Sequence, residues 1–201
     1  MIIDKHKIIF VHIPKNAGTS IKKLFTEEVK TFPHEHKTIH KIKKENPEIY
    51  NSYRKFAVVR NPYDRMVSWY AYLNGYTLGN DLLNTYQWNS NNNSYEIIET
   101  ERLNVSGFKR FVKDPAGEGW GDASRLRLLN KQCYWVDETV IILKYENLEK
   151  ELNEFFGKKM DLQTTNKTVR DSISVYYDKE SLDIVYNRYK EDFERFNYKK
   201  I

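Results

Sequence analysis

The sequence predicts an α/β fold, a three-layer domain with a mainly parallel central sheet flanked by helices. Three observations carry that expectation. Short apolar runs rich in β-branched and aromatic residues alternate along the chain with longer stretches at helical spacing. Each strand-like run is followed by a helical pattern, the order that builds parallel sheets covered by helices. No internal repeat divides the 201 residues, a length that suits a single domain over 1–201 with a core of its own.

The first strand is read at Lys7–Ile13, "KIIFVHI", and Pro14 ends it. The following "TSIKKLFTEEV" sets Ile21, Leu24, Phe25 and Val29 at helical spacing, with Thr19 or Ser20 as N-cap. "TIHKIKKENPEIYNSY" predicts a polar helix interrupted near Pro47, and "FAVV" (Phe56–Val59) a second short strand ending at Arg60. Pro62 opens the next helix, "PYDRMVSWYAYL", at a first-turn position where a missing N–H costs nothing. Over about 75–100 the chain turns polar, and "QWNSNNNS" marks a loop or insertion too short for a domain linker.

"LNVSGFKRFVKDP" predicts a short helix ending before Pro115, followed by the glycine-rich "AGEGWGD". "RLRLLNKQCYWV" reads as helix, "TVIILKY" as the third strand, and "NLEKELNEFFG" as a helix closed by Gly157. The tail "SLDIVYNRYKEDFERFNY" places Leu182, Val185, Tyr189, Phe193 and Phe196 on one helical face.

Composition narrows the function classes. The mean hydropathy is −0.75, and the longest apolar stretches, such as "IIFV" and "VIIL", fall far short of a bilayer span. "MIIDKHK" carries no readable secretory signal. Cys133 is the one cysteine, so no internal disulfide forms and a reducing compartment is expected. A net charge of +5 suits an anionic ligand, although a solvated lysine face produces the same balance.

Two segments carry chemistry. "FVHIPKNAGTSI" (Phe10–Ile21) is a strand–loop–helix, and helix N-termini present N–H groups and a positive dipole end to anions. Lys15 adds a positive charge, Gly18 permits close backbone approach, and Thr19 and Ser20 offer hydroxyls. A tight turn with a surface lysine is the alternative. The ATP-loop signature places Lys and a Mg²⁺-binding hydroxyl after its second glycine. Here Gly18 is followed by Thr-Ser, so that signature is not met. In "FAVVRNPYDRMVSWYAYL", Arg60 lies just past a strand's carboxyl end, where ligands gather in open α/β sheets. Ser68 follows two turns into the helix, and an Arg with a hydroxyl suits a second phosphate group.

Together these segments resemble the sulfotransferases that use 3′-phosphoadenylyl sulfate (PAPS), in the carbohydrate branch of uronosyl and heparan 2-O-sulfation and its bacterial relatives. The first matches that branch's 5′-phosphosulfate loop, with Asn16 where Thr is commoner, and the second its 3′-phosphate motif. "ILKYENLEKELNEFFG", "TTNKTVR" and "YNRYKEDFERFNY" extend the likeness over most of the chain, with 75–100 the least matched. The resemblance implies a P-loop-like domain and PAPS as sulfuryl donor, with PAP as product. The 5′ side would lie on Lys15, Asn16, Ala17, Gly18, Thr19 and Ser20, and the 3′-phosphate on Arg60 and Ser68. Lys167 and Thr168 of the late basic loop would close over the same nucleotide, and Lys15 would neutralise the departing phosphate.

A sugar hydroxyl needs a base, and His suits neutral pH. The family places its base between the two motifs, where "FPHEHKTIHKIKK" offers His34, His36 and His40; His36 fits the family's His-x-Thr/Ser pattern best. No metal is expected, because position 38 is Thr and the His-Glu-x-x-His pattern is absent. His12, inside the first strand, is read as a packed, hydrogen-bonded core histidine. Arg125, Arg127, Lys131 and Gln132 fall where family members approach the acceptor, and an exposed helical face is their alternative. Trp88, Trp120, Tyr134 and Trp135 would stack on sugar or pack the core. The expected partner is a carbohydrate or other hydroxyl acceptor, with no nucleic acid and no membrane span. The expected setting is a bacterial-type cytoplasm, against a Golgi-type enzyme trimmed of its anchor. An ATP-dependent small-molecule kinase and a non-catalytic polyanion- or glycan-binding module are the rival readings.

Overall fold

A computed structural model of the protein describes residues 1–25, 36–73, 82–89, 94–102, 105–115, 129–162 and 172–201. They form two compact units. The first comprises Met1–Asn61, Leu128–Thr164 and Tyr189–Lys200, the second Pro62–Arg127, Thr165–Arg188 and Ile201.

In the first unit, β1 (Ile2–Ile3), β2 (Ile8–Val11), β3 (Arg54–Val59) and β6 (Ile141–Lys144) make a four-stranded sheet in the order β1-β2-β3-β6. β2 pairs parallel with β3 and β3 with β6, while β1 runs antiparallel along β2. Successive strand residues face opposite sides, and both sides here are apolar. Ile8, Phe10, Phe56, Val58 and Leu143 pack with Ile21 of α1 (Gly18–Leu24) and with Leu148, Leu152 and Phe155 of α6 (Leu148–Phe156). Ile9, Val11, Ala57 and Val59 pack instead with Ile39 and Ile42 of α2 (Ile39–Glu45), Tyr50 of α3 (Pro47–Ser52), Trp135 and Phe196. Helices thus cover the sheet on two faces, which explains why its strands read as continuous apolar runs. The outer edge at β6 is partly closed by Glu151, whose Oε2 accepts the Lys144 N–H at 2.6 Å.

Local chemistry sets the element ends. Thr38 caps α2, its Oγ1 accepting from the Lys41 N–H at 3.2 Å, and the chain breaks at Asn46 before Pro47 restarts it as α3. Gly157 closes α6 with a left-handed φ of 65°, as expected from the sequence.

Several segments differ from expectation. Neither Thr19 nor Ser20 caps α1; Ala17 takes that place in a left-handed conformation without a side-chain cap, because the preceding loop turns the chain into the helix two to three residues earlier. The described part of "RLRLLNKQCYWV" holds a short 3₁₀ turn, Gln132–Trp135, where a helix was expected. Its first two N–H groups are taken by a side chain, Asp192, described below. The tail, read as one helix, breaks at Tyr189 into α8 (Lys179–Arg188) and α9 (Lys190–Arg195). Val185 is buried in the second unit and Phe193 in the first, so one stripe serves two cores.

The second unit contains α4 (Pro62–Leu73), α5 (Val105–Lys113), α7 (Ile173–Tyr176), α8 and a hairpin of β4 (Leu82–Asn89) with β5 (Ser94–Arg102). The hairpin occupies the stretch expected as a polar loop, and residues such as Thr85, Tyr86, Trp88, Tyr95, Ile97 and Ile98 have the β-propensity for it. Aromatics hold the helices together: Phe108 meets Tyr70 at 5.6 Å and Tyr177 at 4.9 Å, and the Tyr177 hydroxyl donates to the Tyr63 carbonyl at 2.8 Å. Among the described residues no helix is long and apolar enough to cross a membrane.

Candidate functional site

Parallel pairing sets Val11 beside Ala57, so the segments leaving β2 and β3 emerge at one sheet edge. Lys15 and Arg60 meet there, the Arg60 Nη1 donating to the Lys15 carbonyl at 3.1 Å. Arg60 is 4% exposed, and its guanidinium lies over the Tyr145 ring at 4.0 Å. That stacking leaves the in-plane N–H fork to select direction. Tyr145 escaped the sequence reading, yet its place directly after β6, at the same carboxyl edge, was a usable signal.

The loop between β2 and α1 is strained. Lys15 and Ala17 have φ of 68° and 58°, a left-handed region that costs a non-glycine residue about 1–2 kcal/mol. Asn16, between them, is fully buried. Its Nδ2 donates to the Val58 carbonyl at 2.8 Å and to Gln132 Oε1 at 2.6 Å. Its Oδ1 has no hydrogen-bond partner among the described residues, a further cost of about 1–3 kcal/mol. The carboxamide of Asn16, expected among the nucleotide contacts, thus faces inward and ties the loop to the end of β3. Lys15 and Ala17 are half-buried, Gly18 and Ser20 buried and Thr19 exposed. Strain of this kind concentrates where a backbone is preorganised for a ligand.

Gly18 also has a packing use that the sequence does not announce. A Cβ on it would fall closer than 3.0 Å to the His12 ring, with Nε2 nearest. The glycine makes room for a histidine. His12 also stacks on Phe10 at 5.7 Å and lies 4.3 Å from the His36 ring. It is packed as the sequence suggested, but among the described residues no hydrogen bond holds its ring.

His36 precedes α2, and its ring also meets Trp135 edge-on at 6.2 Å. Its Nδ1 lies 3.1 Å from the His12 carbonyl. A carbonyl only accepts, so the bond requires the proton on Nδ1 and puts the lone pair on Nε2, the tautomer of a base. His40 is exposed on α2, and His34 lies outside the described residues. Ser68 is half-buried on α4 in the second unit; Lys167, Thr168, Arg125, Arg127 and Trp120 lie outside the described residues.

Burial, then the electrostatic influence of His36 and Lys22, holds the His12 pKa well below its ordinary 6.5. The unfolded chain therefore takes up a proton that the folded protein refuses once pH drops under 6.5. Urea unfolding is expected to show stability falling from pH 6.5 towards 5, with His12 contributing at most about 1.4 kcal/mol per pH unit. A shallower acid slope is expected for His12→Gln, and an identical slope would discard His12 as a source.

Gln132 and Asp192 are buried polar residues of the same edge. Gln132 Oε1 also accepts the Arg60 N–H at 2.9 Å, and its Nε2 donates to the Arg60 carbonyl at 2.8 Å. Asp192 accepts the backbone N–H groups of Gln132 and Cys133 at 2.7 and 2.8 Å. Cys133, half-buried beside Asp192 and Glu191, has its thiol pKa pushed up to about 12 by burial and by those carboxylates.

Among the described residues no three His, Cys, Asp or Glu side chains gather as a metal site. The arrangement combines two cations, a strained loop and a histidine of fixed tautomer at one sheet edge, parts suited to binding an anion and accepting a proton. No curated protein and no solved structure matches the chain significantly. A model of the sulfotransferase family matches residues 1–199, nearly its whole length. The chain belongs to the sulfotransferase family.

Proposed function

We propose that the protein is an O-sulfotransferase that moves a sulfuryl group from PAPS to a carbohydrate hydroxyl, on a P-loop-like domain with His36 as base. The observation that carries this reading is the meeting of two phosphate-type segments at one sheet edge, where Arg60 donates to the Lys15 carbonyl at 3.1 Å. A donor with phosphate at its 5′ and 3′ positions needs cations on two segments, and a mononucleotide triphosphate does not.

The residues present fit such a donor. Lys15, the backbone of Asn16 and Ala17, Gly18, Thr19 and Ser20 would hold its 5′ side. Arg60, aided by Ser68, Lys167 and Thr168, would hold the 3′-phosphate, the guanidinium fork matching its oxygens. When bound, PAPS supplies a sulfuryl group on a phosphate leaving group. Lys15 offsets the negative charge that builds there. His36 takes the acceptor's proton on Nε2 while Nδ1 stays bound to the His12 carbonyl. No step in this scheme calls for a metal ion.

Labelled PAPS offered with a panel of glycans is expected to give labelled product, and calorimetry to show PAP binding. Transfer should be unchanged by EDTA. A Mg²⁺-dependent phosphoryl transfer from ATP would replace this reading with a kinase. Neither transfer nor PAP binding would end it.

A further inference from the structure

We propose that Gln132 is a positioning residue that locks the Lys15–Gly18 loop and Arg60 into one arrangement, and that Asp192 holds Gln132 in place. This rests on the donor-site reading above. The β3–β6 ladder ends at Val59 and Lys144, so Arg60 has no further strand beside it. Gln132 takes the strand's role: one carboxamide reads both the N–H and the carbonyl of Arg60, at 2.9 and 2.8 Å. Its Oε1 simultaneously accepts from Asn16, the buried centre of the strained loop. The segments expected to hold the two ends of the nucleotide therefore share one side chain. The shared side chain is itself fully buried and fixed at its backbone by the buried Asp192 carboxylate.

The chemistry is specific to a carboxamide, because the position must accept and donate at once. An ionised Glu only accepts and faces the Arg60 carbonyl with a lone pair. A protonated Glu restores one donor and one acceptor. Burial raises the pKa of such a carboxyl, so Gln132→Glu carries its own rescue by acid. The charged and titratable groups on the surrounding elements are Arg60 and Lys15 at the sheet edge, Lys131 and Cys133 alongside, Glu191, Asp192 and Arg195 on α9, and His36 against Trp135. Several of these titrate in acid, so the readout is the ratio of variant to wild type at each pH.

At pH 7.5, PAP is expected to bind Gln132→Glu at least about tenfold more weakly than wild type, and at pH 5.5 the gap should close to about threefold or less. Equal affinity at both pH values would overturn the proposal. So would a loss that acid does not repair, since packing alone would behave that way. If the wild type binds no PAP, the donor reading falls and backbone hydrogen exchange decides the positioning claim. Asn16–Ser20 and Arg60 should then exchange faster in Gln132→Glu at pH 7.5 and recover at 5.5, and unchanged exchange overturns it. Should Gln132→Glu not fold, Asp192→Asn tests the same chain of contacts. It is expected to speed exchange at the same residues by a smaller factor, and no change there counts against the proposal.

Discussion

Replacing His36 by alanine is expected to lower the rate of sulfuryl transfer by about 10²–10⁴-fold, the usual contribution of a general base, while PAP binding stays close to wild type. The reason is the division of work on the ring. Nδ1 is committed to the His12 carbonyl at 3.1 Å, so the imidazole is oriented before any substrate arrives and Nε2 is its basic nitrogen. The flanking rings of His12 and Trp135 limit its swing. Wild-type turnover should fall on the acid side as the ring takes a second proton, and that limb should vanish in the variant. Single-turnover rates and calorimetry separate the two effects. Turnover surviving in His36→Ala would move the base to another residue, with His34 and His40 the next to replace.

A second large effect is expected from the smallest change. Gly18→Ala adds one methyl group, and overpacking of a tight site costs about 1–3 kcal/mol. The new Cβ lands within 3.0 Å of the His12 ring, which is backed by Phe10 and His36 and has little room to retreat. Urea unfolding should record the destabilisation. Transfer activity should drop further than the folded fraction explains, because a displaced His12 disturbs the carbonyl that orients His36. The decisive measurement is a double-mutant cycle with His12→Ala. Removing the ring should relieve most of the penalty, giving a non-additive pair. Additive energies would mean that Gly18 is needed for backbone reasons instead.

Much of the first unit's sheet was legible, for a physical reason. β2, β3 and β6 are covered by helices, so their apolar runs carry no contradictory signal. Caps and breaks written in a few neighbouring residues were also readable, as at Thr38, Pro47 and Gly157. Features fixed by distant partners were not. Asn16 and Gln132 are 116 residues apart, and nothing local to either says that they meet. The 3₁₀ turn at Gln132 depends on Asp192, 60 residues later. The tail's regular stripe hid the break at Tyr189, because a periodic pattern does not reveal that its two halves serve different cores. For the site, the sequence named Lys15, Arg60 and His36. It did not foresee that Gly18 makes room for His12, it passed over Tyr145, and it placed Gln132 near the acceptor, with no hint of its bonds to Arg60.

Cys133 has a practical consequence. With its thiol pushed up to about 12 by burial and by Asp192 and Glu191, little of the reactive thiolate is present at pH 7. Maleimide and iodoacetamide should therefore modify the native protein slowly. A cysteine introduced at exposed Lys44 would label selectively without first removing the natural one. A fluorophore there would give a spectroscopic handle on a protein whose buried network is left untouched.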